Sequence, residues 1–518
     1  MHRLPAGFLH FTSRSLVLAA TFFILGLALF TRDNAFPFQY HPDEHTKVRQ
    51  ILDGTRNLRH PLLLLNTTDF AVRVAHVPAD EQRGAVTGRW VAAIFAAGAV
   101  AALALLGRAL GGVGGGWLAG TVALTNPQIY ECAHYFKEDT ALLFGSAVTW
   151  LFVVRFIDKP GRLNATGMGV GVALAASGKY LGLLNLVLPI AAILIIARRE
   201  NARSAGGAAL IAIAAAAAVF FAINHQLFFA TEQLRSSLDF EMKHVLQGEG
   251  GISKSVPHGY YLERLNEIMS PALLVAGGVF AAMAVRIGRT AGGLLAAFAL
   301  IYLVALSCSP KIALRYLLPV TGIWCVFAGA GIALLMQQAR VAVARQWLAR
   351  GSIVIAAALL LLIGVMQGRQ LVTMMDAFRR DSRSELTAWI LANAPAGSTV
   401  AYETKVGLGW LTERVPALDG YTLLRKDYVA DLGSVEELRA RGVEFVAVYG
   451  INRSFHRGKH FPQEAVREAF ERRRDFYAQL DSETKLVWQR KQGASAYLLP
   501  GIRLYRLSAQ QPLQPHPL

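Results

Sequence analysis

Long apolar runs separated by short polar connections constrain this chain more than any other feature of its sequence. A helix needs roughly 20 apolar residues to cross a bilayer, and on that length we predict about eleven spanning segments. They lie near residues 14–31, 89–108, 112–130, 140–157, 164–177, 180–197, 206–224, 269–286, 291–307, 313–337 and 352–368. The composition agrees, because 54% of the 518 residues are hydrophobic and only 17% are charged. The predicted fold class is therefore a polytopic α-helical membrane protein.

Basic residues collect on alternate connections between these segments. With the N-terminus in the cytoplasm, the inner connections hold clusters such as Arg198 and Arg199, whereas the short outer connections contain only Lys137, Lys179 and Lys311. Lys and Arg favour cytoplasmic loops, so this orientation is the predicted one. An odd number of spans then places the C-terminus outside. Membrane topology also explains the net charge of +17, and no nucleic acid is needed as a partner.

The outer parts of the chain are those that can hold a site. In a predicted transmembrane catalytic domain, residues 1–375, the outer loops are 32–88, 129–139 and 225–268. The tail from 376 to 518 differs in composition and is predicted to be a soluble α/β domain outside the membrane. Helices are predicted at 381–394, 435–440 and 463–480, and strands at 398–402, 443–449 and 502–507. The tail has no phosphate-binding glycine loop, so we assign it no chemistry and expect an accessory or acceptor-docking role.

The sequence His41-Pro42-Asp43-Glu44-His45 follows the first apolar run. Pro42 lacks a backbone donor and biases His41 toward an extended conformation, so a shaped turn is predicted just outside the membrane. A carboxylate at that place can act as a general base, bind a metal ion or simply be solvated. The motif alone leaves these three roles open.

A second motif, Lys137-Glu138-Asp139, connects the third and fourth predicted spans at the same membrane face. So short a connection needs no ionisable groups, yet it carries three in a row. The alternative is that these charges have no function, because charged residues at helix ends can extend to the interface at little cost. Two acidic sites that converge from separate outer loops would suit a reaction that needs a base and a partner handling a cation or a phosphate.

Basic and aromatic residues begin the tenth predicted span. Lys311 and Arg315 are four residues apart and share one face of a helix, and Tyr316 follows directly. An arginine fork beside an ammonium group can clamp a phosphate, although Tyr and Arg also serve as interfacial anchors. Lys179, in the turn between the fifth and sixth spans, either adds to the same positive field or only extends to the interface.

The sequence requires no cofactor. His225 and His258 bracket the loop 225–268, but a single His is more often an ordinary loop residue than a metal ligand. Only His258 is retained as a candidate ligand, for a divalent metal ion. The three cysteines form no CxxC pair and no cluster with His, so neither a disulfide framework nor a structural zinc site is indicated.

The order of these motifs resembles that of the polytopic GT-C glycosyltransferases, specifically the bacterial branch related to protein O-mannosyltransferases and lipid A aminoarabinose transferases. The shared order is an uncleaved first helix, a loop with His-Pro-Asp-Glu, a short loop with Lys-Glu-Asp and a late Arg-Tyr-x-x-Pro helix. The resemblance implies an inverting transfer of a sugar from a polyprenyl phosphate, such as undecaprenyl phosphate, to a lipid, glycan or protein acceptor. It also implies the outer face of a bacterial inner membrane. No Asp-x-Asp motif is present, which leaves metal dependence open.

The resemblance also implies roles for individual residues. Asp43 matches the catalytic acid of the first loop, Glu44 would support it, and Asp139 matches the acid of the second loop. The donor phosphate would be held by basic and aromatic residues, namely Lys137, Lys179, Lys311, Arg315 and Tyr316. We further predict that the remaining polar side chains of the two motifs contact substrate, namely His41, His45 and Glu138.

Two other functions stay open at the level of sequence. A transporter or flippase of a lipid-linked sugar would also need many spans, but it would place ionisable residues near the middle of the bilayer and show two related halves. The candidate residues cluster at one face instead, and no internal repeat is found. A catalytically inactive member that acts as a binding module would keep the same motifs.

Overall fold

The computed structural model describes most of the chain in atomic detail. The described residues are 13–37, 40–199, 202–247, 252–253, 260–286, 290–309, 313–341, 346–408, 418–458, 461–462, 464–493 and 497–507. Two predicted site residues, His258 and Lys311, lie outside these ranges. The chain forms two compact units. A helical unit comprises most residues before 373, and a C-terminal unit comprises the residues from Thr373 onward together with Tyr40–Pro42 and the short strand Ile252–Ser253.

Helices account for nearly all described residues up to Ala377. They are α1 Ser13–Phe30, α2 Pro42–Leu52, α3 Leu63–Val74, α4 Glu81–Leu124, α5 Pro127–Ala133, α6 Asp139–Asp158, α7 Arg162–Gly178, α8 Val187–Arg199, α9 Ala202–Phe229, α10 Thr231–Gln247, α11 Tyr260–Glu263, α12 Leu265–Ile268, α13 Pro271–Arg286, α14 Thr290–Ser307, α15 Leu318–Val341 and α16 Gln346–Ala377. Short 3₁₀ helices, Tyr180–Leu186 and Leu314–Leu317, precede α8 and α15.

Among the described residues, eight helices are long and apolar enough to cross a membrane. One of them, α4, turns back on itself at Gly112, whose φ is 73°. A Cβ on Gly116 would lie 3.0 Å from the carbonyl oxygen of Ala104, whereas these residues would be roughly 18 Å apart in a straight helix. Helix α4 therefore contains two of the predicted spans. Helix α7 and the apolar stretch Pro271–Ala284 are shorter, so the predicted number of about eleven stays a prediction.

Glycines bring the backbones of α6 and α7 into direct contact. A Cβ on Gly171 would lie only 2.5 Å from the backbone nitrogen of Thr149, and one on Gly178 only 2.6 Å from that of Leu142. No side chain fits at either place, so the two helices pack as closely as their backbones allow. The start of α6 therefore lies beside the end of α7, where the site residues are found.

Two predicted loops are largely helical in the structure. Within 32–88, Pro42 is the first residue of α2, so the prediction of a turn through His45 is wrong from Pro42 onward. Proline is favoured in the first turn of a helix, because its missing donor has no partner there anyway. The predicted outer loop 225–268 also contains helical segments, since α9 continues to Phe229 and α10 fills the residues from Thr231 to Gln247; its position outside the membrane stays a prediction.

The C-terminal unit contains a five-stranded mixed sheet. Its helices are α17 Ser382–Asn393, α18 Val435–Ala440, α19 Gly450–Arg457 and α20 Arg467–Glu483. Its strands are β1 Ile252–Ser253, β2 Thr399–Glu403, β3 Thr422–Lys426, β4 Val443–Tyr449, β5 Phe461–Pro462, β6 Lys485–Arg490 and β7 Ile502–Arg506. The sheet order is β3-β2-β4-β7-β6, and β1 pairs with β5 separately. Strands β2, β3 and β4 are parallel, whereas β7 runs antiparallel to both β4 and β6.

Both faces of this sheet are covered. Leu386 and Ile390 of α17 pack on one face, and Leu438 of α18 with Leu480 of α20 pack on the other. Strand β4 is buried along nearly its whole length, which explains its almost continuous run of apolar residues. The strands predicted near β2, β4 and β7 are present in the structure. The more polar β3 and β6 were not predicted, because they carry no clear apolar alternation.

Candidate functional site

A fully buried ion pair joins the first acidic motif to α4. The guanidinium of Arg89 donates from Nε and Nη2 to the two carboxylate oxygens of Glu44, at 2.8 and 2.6 Å, and neither side chain is exposed. The same guanidinium donates to the carbonyl oxygens of Asn34 and Phe36. Glu44 also accepts a hydrogen bond from the backbone nitrogen of Phe136, at 3.1 Å. Glu44 thus fastens α2 to α4 and to the loop that carries the second motif.

A second buried pair forms one turn further along α2. The ammonium group of Lys47 donates to Oε1 of Glu138, and both side chains are more than nine-tenths buried. The other oxygen of Glu138, Oε2, is buried and has no hydrogen-bond partner among the described residues. Since a buried carboxylate oxygen is costly to leave without a donor, this oxygen is suited to accept a hydrogen bond from a bound molecule.

Asp43 is the most exposed carboxylate of the two motifs. Its Oδ2 pairs with the ammonium group of Lys137, which is almost completely buried, while 40% of the Asp43 side chain remains accessible. Asp43 lies in the first turn of α2, where the helix dipole favours a negative charge. This carboxylate is therefore fixed by a basic neighbour and still open to a molecule that approaches from solution.

Asp139, the first residue of α6, holds the two other basic groups. Lys179 donates to its Oδ1 at 2.7 Å, and Nε of Arg315 lies 3.8 Å from its Oδ2. Lys179 follows the last residue of α7, and Arg315 lies in the 3₁₀ helix before α15. The ring of Tyr316 lies 4.4 Å from the Lys179 ammonium and 5.4 Å from the Arg315 guanidinium. Two elements distant in sequence thus place one cation each beside the carboxylate that begins α6.

Electrostatic coupling joins the pairs made by Lys47, Lys137 and Lys179 into one network, and the hydrogen bond from the Phe136 backbone to Glu44 links the Arg89 pair to it. Burial, together with the nearby charges of Arg315 and Lys179, holds the pKa of Lys137 well below its usual value. Although burial opposes it, the neighbouring Asp139 raises the pKa of Lys179. The pKa of Glu138 is lowered because Lys47 and other nearby positive charges outweigh the effect of burial. The network therefore stabilises charged Lys179 and Glu138, while it makes Lys137 a weaker base.

The structure brings most predicted site residues into this network. They are Asp43, Glu44, Lys137, Glu138, Asp139, Lys179, Arg315 and Tyr316. His45 is half-buried on α2, next to Glu44. His41 belongs to the C-terminal unit, where its ring lies 4.5 Å from that of Tyr497. The predictions for Lys311 and His258 lie outside the described residues.

Sequence reasoning missed three residues of the network. Arg89 is the first residue of a predicted span, and a charge inside an apolar helix is a recognisable sign of a functional or structural partner. Lys47 lies on α2 four residues after Asp43, but the loop interpretation concealed its position on a helix. His60 is coupled electrostatically to Glu138, and burial lowers its pKa even though Glu138 opposes this. No local pattern distinguishes His60 from any other loop histidine.

The described acidic residues do not fit a divalent metal ion as they are arranged. Within the described ranges, no three His, Cys, Asp or Glu side chains come together as metal ligands. The carboxylates of the two motifs are instead each paired with Lys or Arg, which leaves no cluster of anionic oxygens of the kind that Mg²⁺ or Ca²⁺ prefers.

No protein-family model matches the chain, and no curated protein matches its sequence. Among solved structures, the archaeal oligosaccharyltransferase AglB from Archaeoglobus fulgidus, in complex with an inhibitory peptide and a dolichol-phosphate, aligns over 85% of this chain and 70% of its own, with 11% identity and a TM-score of 0.49. ArnT from Cupriavidus metallidurans bound to undecaprenyl phosphate aligns over 95% of this chain and 98% of its own, with 14% identity and a TM-score of 0.49.

The protein O-mannosyltransferase Pmt1-Pmt2 complex of S. cerevisiae, bound to the sugar donor, aligns over 44% of this chain and 35% of its own. Its identity is 17% and its TM-score is 0.36. All three are GT-C glycosyltransferases, the class that the sequence resembles. At these identities and TM-scores, the function of this chain has to be argued from its own residues.

Proposed function

We propose that the protein is an inverting glycosyltransferase that moves a sugar from a polyprenyl-phosphate carrier to a lipid, glycan or protein acceptor. The observation that carries this proposal is the ion-pair network. An accessible carboxylate, Asp43, is paired with Lys137, and Lys137 is coupled to a second carboxylate, Asp139, that holds Lys179 and Arg315. A base and a set of fixed cations are the two functions that such a transfer needs.

In the proposed reaction, Asp43 is the general base. An acceptor hydroxyl oxygen attacks the anomeric carbon of the donor sugar and forms the new glycosidic bond. The bond between that carbon and the carrier phosphate oxygen breaks, and its electron pair leaves with the phosphate. The proton of the acceptor hydroxyl passes to Asp43. Attack from the face opposite the phosphate inverts the configuration at the anomeric carbon.

The leaving phosphate gains negative charge as this bond breaks, and the basic residues are suited to stabilise it. Lys179 and Arg315 are oriented by Asp139, and Tyr316 packs against both cations. Cations that are already fixed need no reorganisation when the charge develops, which is the main advantage of a prearranged site. Lys137 would complete this set in its protonated form, which burial, Arg315 and Lys179 oppose and which Asp139 and the pairing with Asp43 favour.

Glu44 is better suited to positioning than to chemistry. It was predicted as a catalytic residue, but its carboxylate is fully buried and both oxygens are bonded to Arg89. We therefore propose that Glu44 and Arg89 hold the two motifs together. Glu138 remains a substrate-binding candidate because of its buried Oε2, whereas the predictions for His41 and His45 still await a test.

The position of the network supports transfer over transport. Asp139 begins α6, Lys179 follows the end of α7, and Arg315 precedes α15. The charges therefore cluster at helix ends, whereas a transporter is expected to bind its substrate near the middle of the bilayer. In this proposal the N-terminus is cytoplasmic, and the network and the C-terminal domain face outward from a bacterial inner membrane. The C-terminal domain would dock the acceptor.

The proposal is tested by the Asp43→Asn substitution. Asn keeps the shape of the side chain but cannot accept the proton, so we expect sugar transfer to fall by about 10²-fold or more, the usual contribution of a general base. Mass spectrometry of glycans and carrier lipids from a deletion strain, complemented with each variant, would measure this whichever sugar is transferred. The unreacted sugar-carrier lipid should accumulate.

Asp53→Asn is the matched control, because Asp53 follows the last turn of the same helix and is exposed. It should restore transfer fully. Full complementation by Asp43→Asn at a normal protein level would refute Asp43 as the base. If the deletion strain shows no change in any glycan or carrier lipid, glycosyl transfer itself would be the wrong function.

A further inference from the structure

A cleft of about 510 Å³ opens between α3 and the end of α9, within the helical unit. Its lining includes two arginines, Arg56 and Arg73, one acid, Asp69, and the apolar side chains of Phe70 and Ile223. None of these residues belongs to the ion-pair network described above. The cleft thus combines charged and apolar side chains.

Both arginines are bonded to the same carboxylate. Nη2 of Arg56 lies 2.7 Å from Oδ2 of Asp69, and Arg73 donates to both oxygens of Asp69 at 3.1 and 3.0 Å. Arg56 is further fixed by Asn66 and by the carbonyl oxygen of Gln50, both at 3.1 Å, and its side chain is only 10% exposed. Two guanidinium groups on one carboxylate leave one positive charge uncompensated.

Arg73 can donate further hydrogen bonds to a ligand. Its side chain is 72% exposed, and its described bonds use only Nε and Nη2, both toward Asp69. The Nη1 group therefore remains available among the described contacts. Because Asp69 already fixes the guanidinium plane, an anion that binds to it would order little additional side-chain structure.

The apolar side chains of the cleft continue onto an exposed apolar surface that is suited to lipid. Phe70 is 67% exposed, and in the candidate span that contains Ile223 only 6% of the most apolar stretch is buried within the protein. Asn224 interrupts the helical geometry of α9 at the cleft, and its side chain accepts a hydrogen bond from the backbone nitrogen of Leu62 at 2.9 Å. The cleft therefore lies where a lipid-facing helix meets the polar segment before α3.

We propose that this cleft binds the headgroup of an anionic membrane phospholipid. Its phosphodiester would accept hydrogen bonds from Arg73 and Arg56, and one acyl chain would lie along Phe70 and Ile223. The single uncompensated charge matches the single negative charge of a phosphodiester, and arginine forks suit phosphate geometry. This site is independent of glycosyl transfer and would exist even if the protein catalysed another reaction.

Thermal unfolding of the purified full-length protein in a neutral detergent would test the site. Phosphatidylglycerol, phosphatidylcholine, inorganic phosphate and a polyprenyl phosphate are titrated separately, and the increase in Tm is recorded. We expect phosphatidylglycerol to stabilise the protein and Arg73→Gln to weaken this binding about tenfold, the effect of one charge-assisted hydrogen bond. Phe70→Ser should weaken lipid binding as well. Arg83→Gln, an exposed arginine near the start of α4, should have no effect.

The other outcomes would overturn the proposal in distinguishable ways. Equal stabilisation by phosphatidylcholine would show that the charge is not recognised. Equal stabilisation by inorganic phosphate, without an effect of Phe70→Ser, would identify a free-anion site. Preference for the polyprenyl phosphate, lost in Arg73→Gln, would assign the cleft to the sugar carrier. An unchanged phosphatidylglycerol response in Arg73→Gln would exclude this cleft as the lipid site.

Discussion

The buried pair between Glu44 and Arg89 gives the sharpest quantitative prediction. Replacing Glu44 by Gln keeps the side-chain volume but removes the negative charge that faces a completely buried guanidinium. Breaking a buried ion pair from one side typically costs about 3–5 kcal/mol, because the remaining charge is left without compensation. We expect Glu44→Gln to lower the free energy of unfolding by an amount in this range.

The geometry places the expected value near the lower end. Arg89 keeps hydrogen bonds to the carbonyl oxygens of Asn34 and Phe36 after the substitution, and these still solvate its guanidinium in part. The bond from the backbone nitrogen of Phe136 can also be retained by the amide oxygen of Gln. The loss then comprises the charge-charge interaction and one hydrogen bond, because the amide NH₂ group of Gln cannot accept from Nη2 of Arg89, and we expect about 3 kcal/mol.

Unfolding by denaturing detergent in mixed micelles would measure this free energy. Glu81→Gln is the control, because Glu81 lies on α4, as Arg89 does, but is 40% exposed and 4.0 Å from a largely exposed Arg49. This substitution should cost about 0–1 kcal/mol. The double variant Glu44→Gln/Arg89→Gln should cost less than the sum of its single variants. A loss for Glu44→Gln no larger than for Glu81→Gln would refute the account of the pair.

Two further predictions concern the donor phosphate and the C-terminal unit. Arg315→Ala should weaken the binding of a polyprenyl phosphate, because it removes a fixed cation, and calorimetry in detergent would measure the change. Arg264→Ala is the control, since Arg264 is half-exposed beside Glu267. Equal affinities of the two variants would remove Arg315 from the phosphate site. Burial raises the pKa of Glu403 from its usual 4.5 to about 7, although a hydrogen bond from Tyr477 opposes this. Between about pH 4.5 and 7 the folded state keeps a proton that the unfolded chain has lost, so the free energy of unfolding should fall as the pH rises through this range. Glu403→Gln should abolish this pH dependence. Tryptophan fluorescence during denaturation at several pH values would measure it. A slope that persists in Glu403→Gln would assign it to another group.

The two acidic motifs could be found from the sequence, but their local structure could not. The proline before Asp43 was interpreted as the mark of a turn, whereas Pro42 begins a helix. Proline suits both environments, and only the packing of α2 decides between them. The consequence for the site is direct: a helix places Lys47 one turn after Asp43, so that Lys47 reaches Glu138.

Polar elements were the ones most often missed. Helix α10 has many charged residues and was interpreted as loop, and strands β3 and β6 lack apolar alternation. Strand β6 lies at an edge of the sheet, next to β7, where only one side of the strand is paired. Edge position removes the apolar signal on which sequence-based assignment depends.

The sequence by itself determined the membrane-spanning character of the chain, the two acidic motifs and the basic residues before α15. Hydrophobic length and charge are local properties that can be seen in a continuous stretch of residues. Only the tertiary structure decided which cation lies on which carboxylate. Lys179 reaches Asp139 because glycines allow α6 and α7 to touch along their backbones, and Arg89 reaches Glu44 because α4 packs beside α2. Such pairings depend on distances between segments far apart in the chain, and no local pattern encodes them.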